Sequence, residues 1–158
     1  MDLPGPPTST GPRASGWAEA AVVAAGLRRD PEVTVTDPVS GGRATAFVEG
    51  GGLRVRVDAG EVLDDVVLRS YCVGAAHQGL GWVTSEGLAV DDGGEIHDLT
   101  IRSFGVLRAV DMVPVAVEIG SGSGPPVRAS DAVFAAVAGA VWVAQGCPPD
   151  WPTGRSLV

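Results

Sequence analysis

Apolar and polar residues alternate with a period of two over 43–48 and again over 53–58, and Gly50, Gly51 and Gly52 separate the two runs. Alternation of this kind marks strands with one buried face, and a glycine turn between them predicts a hairpin. The longest apolar segment, 66–84, is too long for a strand and shows no alternation, so a helix is expected over 66–82, opened by Asp64 or Asp65. Its Gly74, Ala75, Ala76, Gly79 and Gly81 give it a small-residue face, where another backbone or a ligand comes close.

Around these elements the pattern is shorter. Ser15 is placed to cap a helix over 17–29, which carries Arg28 and Arg29 at its end and stops at Asp30-Pro31. A strand over 33–36 and a turn over 37–42 follow. A second hairpin is expected over 86–100, turning at Asp91-Asp92-Gly93-Gly94, then a strand over 113–119 and a loop over 120–126. Ser130 is placed to cap a last helix over 131–145, before Gly146 and Pro148-Pro149. The interleaving predicts an α+β fold, a mainly antiparallel sheet with two or three helices packed on one face.

The 158 residues suit one domain, expected over 15–158 behind a Pro/Gly/Ser/Thr-rich disordered leader, 1–14. No run approaches the roughly 20 apolar residues of a membrane span, and no secretory signal is evident, so a cytoplasmic protein with no membrane partner is expected. The net charge is −8 and every basic residue is Arg. The absence of lysine rules out a Schiff-base or P-loop lysine in this chain, and the acidic balance argues against nucleic acid. Cys72 and Cys147 have no metal-type spacing and read as buried free thiols.

Few residues suggest chemistry. Gly120-Ser121-Gly122-Ser123-Gly124 is no nucleophile elbow, because Gly122 stands where that motif needs serine, and a flexible strand-to-helix connection is expected. His77 and His97 are the only histidines, without ligand spacing, so no metal site is expected. Asp91, Asp92 and Glu95 read as a solvated turn. His77 and Gln78 point about 100° apart on the helix, so one of them can face a ligand. The alternative is a hydrogen-bonded polar pair at a helix boundary, and an unrelated small enzyme with a pocket around His77, Gln78 and Ser70 is a third reading.

Several motifs stand together in order. The run 70–82, Ser-Tyr-Cys-Val-Gly-Ala-Ala-His-Gln-Gly-Leu-Gly-Trp, with Ser85-Glu86-Gly87-Leu88 behind it, resembles the Q-G-L-G helix and following S-E strand of the xanthine dehydrogenase/aldehyde oxidase family. Val57-Asp58-Ala59-Gly60 resembles the V-D-x-G strand ahead of that helix, and Ala109-Val110-Asp111-Met112-Val113-Pro114 its A-x-D-M-P element. Gly124-Pro125-Pro126 before an alanine-rich helix resembles G-E-P-P, and Trp151-Pro152-Thr153 its terminal L-P-x-T. Order and rough spacing agree over about 43–155, which likens the chain to the C-terminal part of the second molybdopterin-binding domain of the family's large subunit.

The resemblance implies that Gln78 and Gly79, with Ser123 and Gly124, lie against a molybdopterin cofactor, Gln78 by hydrogen bonding. It also implies that no catalytic residue is present: Gly124 occupies the position of the family's Glu general base, and the first molybdopterin-binding domain and the iron-sulfur and flavin partners are missing. Two readings follow. One is an accessory or split component of a molybdenum hydroxylase, holding molybdopterin only together with a larger molybdopterin-binding subunit. The other is a stand-alone, non-catalytic binding or assembly module that self-associates.

Overall fold

The computed structural model describes residues 10–97 and 100–157, with the side chains of 10–15 left aside. Helix α1 (Thr10–Arg28) leads to strands β1 (Val33–Thr36), β2 (Arg43–Glu49) and β3 (Gly52–Asp58). Helix α2 (Asp65–Thr84) follows, then a small hairpin of β4 (Ala89–Val90) and β5 (Ile96–His97). The four-residue helix α3 (Ile101–Phe104), a 3-10 turn (Ala109–Asp111), strand β6 (Val115–Ile119) and helix α4 (Ser130–Ala144) complete the order.

The main sheet has the order β1-β2-β3-β6. Strands β1, β2 and β3 are antiparallel, with Ala46 opposite both Val33 and Val55, and Gly50 and Gly51 make the β2–β3 turn at positive φ, as the alternation requires. Strand β6 pairs with β3 in parallel, Val55 opposite Val117. The sheet is therefore mixed: mainly antiparallel, as expected, with one parallel pairing at its β6 edge. The reason is topological: α2 crosses over one face and brings the chain back to run in the direction of β3.

That face is the core. Val33, Val35, Ala44, Ala46, Leu53, Val55, Val57 and Val117 point into it, while Thr34, Arg54, Arg56 and Glu118 point to solvent from the other side. Helix α4 lies over β1, β2 and β3 and is flanked by α1 and α2. Its stretch from Ala135 to Val141 is buried all round, which explains why it carries only Ala, Val and Gly there. Helices thus cover one face only, as expected from the sequence.

Several element ends depart from the sequence pattern. Helix α1 begins at Thr10, so residues 10–14 are helical instead of part of a leader and Ser15 lies inside the helix rather than capping it; residues 1–9 fall outside the described residues. Its end is one residue earlier than expected, because Arg29 turns to φ 54. Ser130 does not cap α4: Ala129 holds that place without a side-chain hydrogen bond, and the Ser130 hydroxyl turns to Asp131. At α2 the expectation holds, with Asp64 accepting from the Val67 N–H at 3.0 Å.

Candidate functional site

The outward face of α2 is the centre of the candidate site. Val67, Ser70, Tyr71, Gly74 and Gln78 are all exposed there, while Cys72, Ala75, Ala76, Gly79, Leu80 and Val83 turn inward. Two cavities meet at Tyr71. The larger, about 700 Å³, lies between α1 and α2 over the start of α4, with Trp17, Ala75, Trp82 and Phe134 as its apolar walls and Ser70, Gln78, Glu19 and Asp131 around it. The smaller, about 420 Å³, is bounded by Val62, Val67, Leu68 and Pro126. The far end of the larger cleft is closed by an aromatic cluster, Trp82 stacking with Phe134 at 5.3 Å and Trp151 meeting Trp82 and Trp142 edge-on.

Of the four residues that the resemblance sets against a cofactor, Gln78 lines this cleft and the other three do not. Gly79 is buried against α4; a Cβ there would stand 2.7 Å from the Phe134 carbonyl oxygen, so its lack of a side chain serves helix packing. Ser123 and Gly124 lie in the exposed loop beyond β6. That loop is locked to the end of β3: Glu61 N donates to the Gly124 carbonyl, Val127 N to Ala59, and Gly60, at φ 68, leaves no room for a Cβ against Pro125 O. The loop therefore sits near the N-terminus of α2, and Gln78 is fourteen residues, roughly 20 Å, further along the helix. The residues present do not converge into one cofactor site within this chain.

His77 turns away from the cleft. Its Nε2 lies 2.7 Å from the Leu107 carbonyl oxygen, tying α2 to the segment after α3. The polar-boundary reading describes His77, whereas Gln78 faces open space. Beside them Glu86 is buried enough to push its carboxyl up, with the nearby His77 pulling in the other direction. At the β4–β5 turn Asp91, Glu95 and His97 are exposed and bring their oxygen and nitrogen atoms within 4.8 Å of one another. The Asp91 carboxylate is engaged by His97 at 2.6 Å and by the Gly93 and Glu95 N–H groups, the His97 bond being the main reason its pKa is lowered. The thiol of Cys72 is fully buried, which pushes it up to about 11, while Cys147 is only partly buried; both are free.

One buried carboxylate escaped the sequence pattern. Asp37, expected only as a turn residue, is 1% exposed and borders the larger cleft. Val39 N donates to it at 2.8 Å, and Ser40 Oγ lies 2.5 Å from its Oδ2 and 2.6 Å from the Arg128 carbonyl oxygen, fastening the β1–β2 turn to the start of α4. The Asp-Pro-Val-Ser spacing is the signal that could have found it, since Asx turns place such side chains on backbone N–H groups two residues on. Burial pushes the Asp37 carboxyl up, but the Ser40 and backbone hydrogen bonds and the Arg128 charge outweigh it and hold the group below its usual range. Its stabilisation is therefore present above the unfolded pKa, roughly 3.9, and is lost as pH falls through the folded value. Asp37→Asn is expected to lower stability at pH 7 and to approach wild type in acid; urea unfolding at both pH values checks this, and a pH-independent difference would contradict it.

No family model matches the chain, and no curated protein does. Solved structures do. The chain is similar to quinoline 2-oxidoreductase from Pseudomonas putida 86, at 15% identity and a TM-score of 0.51, over 66% of this chain and 15% of that one. It also matches the Cu,Mo-CO dehydrogenase in its carbon monoxide reduced state (14% identity, TM-score 0.47, 63% and 14% of the two chains). Reconstituted CO dehydrogenase from Oligotropha carboxidovorans gives 12% identity and a TM-score of 0.48 over 65% and 14%. The α+β fold of this chain is thus that of a segment of the quinoline 2-oxidoreductase, and the chain spans about 15% of that protein's length. Among the described residues no helix is long and apolar enough to cross a membrane.

Proposed function

We propose that this chain is a truncated xanthine dehydrogenase/aldehyde oxidase-like protein, a cytoplasmic accessory or split component of a molybdenum hydroxylase that is not catalytic alone. The observation that carries this reading is the fold it shares with a segment, 15% of the chain, of an oxidoreductase, together with the order of motifs over 43–155. In this role Gln78 offers its carboxamide from one wall of an open cleft, and a larger molybdopterin-binding subunit supplies the rest. Molybdopterin, which brings the metal chemistry to such enzymes, is held only when that subunit is present. Tagged protein purified from its own cells is expected to carry a larger subunit and molybdenum in proportion to it, measured by mass spectrometry of protein and metal. A chain that emerges alone and free of molybdenum overturns this reading.

A second reading, a non-catalytic module that self-associates, has its own support. Leu63, Val66, Val67 and Tyr71 are 78%, 76%, 49% and 66% exposed around the start of α2. Exposed apolar side chains in this number at one end of a helix are what a self-associating surface offers.

A further inference from the structure

We propose that the larger cleft, between α1 and α2 over the start of α4, binds a small organic cation, an ammonium group carried on a flat apolar body; the inference goes beyond both functional readings and uses only residues of this chain. Two kinds of side chain line the cleft together. Trp17, Trp82 and Phe134 are half-buried aromatic walls, and Glu19, Asp37 and Asp131 are carboxylates. Arg128 is the one basic residue among the lining residues, so three negative groups stand against one positive group.

That combination selects for a cation with an apolar coat. The face of an aromatic ring is the negative part of its quadrupole, and tryptophan attracts an ammonium or guanidinium most strongly. Methyl or methylene groups around a nitrogen also cover the ring's apolar surface, while carboxylates nearby balance the charge that leaves water. An anion would meet like charge here, and a neutral ligand would cover carboxylates without offering them a counter-charge. The carboxylates do not belong to a described group whose ligand atoms converge as a metal ion requires. The volume, about 700 Å³, is that of a site for a whole small molecule.

The fold holds these groups in place before a ligand arrives. Asp37 is 1% exposed, and the Val39 N–H and the Ser40 hydroxyl fix its carboxylate at the border of the cleft. Asp131 stands in the first turn of α4, with Arg128 at 2.9 Å. The guanidinium is thus engaged by one carboxylate of the three. Trp82 is held by Phe134 at 5.3 Å and by Trp151 at 5.0 Å, so this wall loses little freedom on binding. Ser70 and Gln78, both exposed, offer hydrogen bonds at the rim to a polar substituent on the ligand.

The test uses the full chain, titrated by calorimetry and by quenching of tryptophan fluorescence. The probe is para-hydroxyphenyl-trimethylammonium, and its neutral isostere, para-tert-butylphenol, is the control. The cation is expected to bind saturably in the submillimolar range and roughly tenfold more tightly than the isostere. Trp17→Leu is expected to remove most of that preference. Glu19→Gln should weaken the cation roughly threefold and Arg128→Gln should tighten it by about as much, the scale of a partly exposed charge pair. Glu19 is exposed and the Arg128 side chain is 63% exposed, so both variants are expected to fold, and melting curves check each protein. Absence of saturable binding at millimolar cation overturns the proposal. An isostere that binds as tightly also overturns it, since the cleft would then be merely apolar. Arg128→Gln that fails to tighten binding places the cation elsewhere and overturns it too. Preference for an arginine-containing peptide over the free ammonium would make the cleft a protein-docking site, with the same consequence.

Discussion

Neither the wild-type chain nor Gly124→Glu is expected to oxidise xanthine or a simple aromatic aldehyde with an artificial electron acceptor, and neither is expected to hold molybdenum when purified alone. Absence of a general base alone typically removes about 10²- to 10⁴-fold of rate. Here the deficit is larger, because the structure separates what the resemblance joins. Gln78 lines the cleft over α4, while Gly124 is in the exposed loop fastened to Glu61 near the other end of α2. A carboxylate at 124 would point into open space, with no Gln78 opposite it. Groups that must act together need placement within fractions of an ångström, which an isolated side chain on that loop does not have.

Gly124→Glu also carries a conformational cost. Residue 124 sits at φ 110, where side chains other than glycine are strained by about 1–3 kcal/mol. The variant should still fold, since a Cβ there meets nothing within 4 Å. The assay therefore needs both proteins, a melting curve for each, and metal analysis of each preparation. Turnover with bound molybdenum in either one would mean that this short chain builds a whole site, contrary to both functional readings.

Two glycines five residues apart on one helix are expected to respond with opposite sign. Gly79→Val should lower the unfolding free energy by about 3 kcal/mol, the upper part of the range for overpacking. Its Cβ would stand 2.7 Å from the Phe134 carbonyl oxygen and 3.4 Å from both Ala138 N and Val137 Cβ, all on α4. That contact between α2 and α4 is among the main ones in the core, and α4 is held on its other side by α1 and from below by the sheet, so the helices have no direction in which to part freely. For a domain of this length each kcal/mol moves the melting temperature by roughly 2–4 °C, so a fall of about 6–12 °C is expected. Gly74→Ala, on the open side of the same helix, should instead gain up to about 1 kcal/mol from helix propensity. Thermal melts of the two variants beside wild type decide the matter. Equal effects would mean that the two positions are not distinguished by packing.

The contrast between Gly74 and Gly79 marks the boundary of what the sequence determines here. A run of 19 residues without alternation, too long for a strand and opened by an aspartate, is enough to mark α2 as a helix, because length and capping are read within the segment itself. The hairpin of β2 and β3 is equally local: two alternating runs and a glycine turn fix both the strands and their register. The same small residues cannot say which way they face, since an alternation-free helix has no polar stripe to orient it. Only the arrival of α4 made Gly79 a packing contact and left Gly74 in the open. Asp37 is a similar case, a turn residue in sequence that becomes a buried carboxylate where its partner Ser40 also meets the Arg128 carbonyl, eighty-eight positions beyond Ser40.

Strand direction and site assembly were likewise decided at a distance. Val115–Ile119 reads as a strand from its own pattern, but its parallel pairing with β3 depends on where the α2 crossover returns the chain. The V-D-x-G and G-P-P motifs do meet in space, through Gly60, Gly124 and Pro125, yet the Q-G-L-G motif that lies between them in the sequence does not join them. Local pattern determines elements because the forces behind it reach one or two turns of chain. Which motifs share a cavity is set by the rigid length of the helix between them, and α2 holds Gln78 and Gly124 apart.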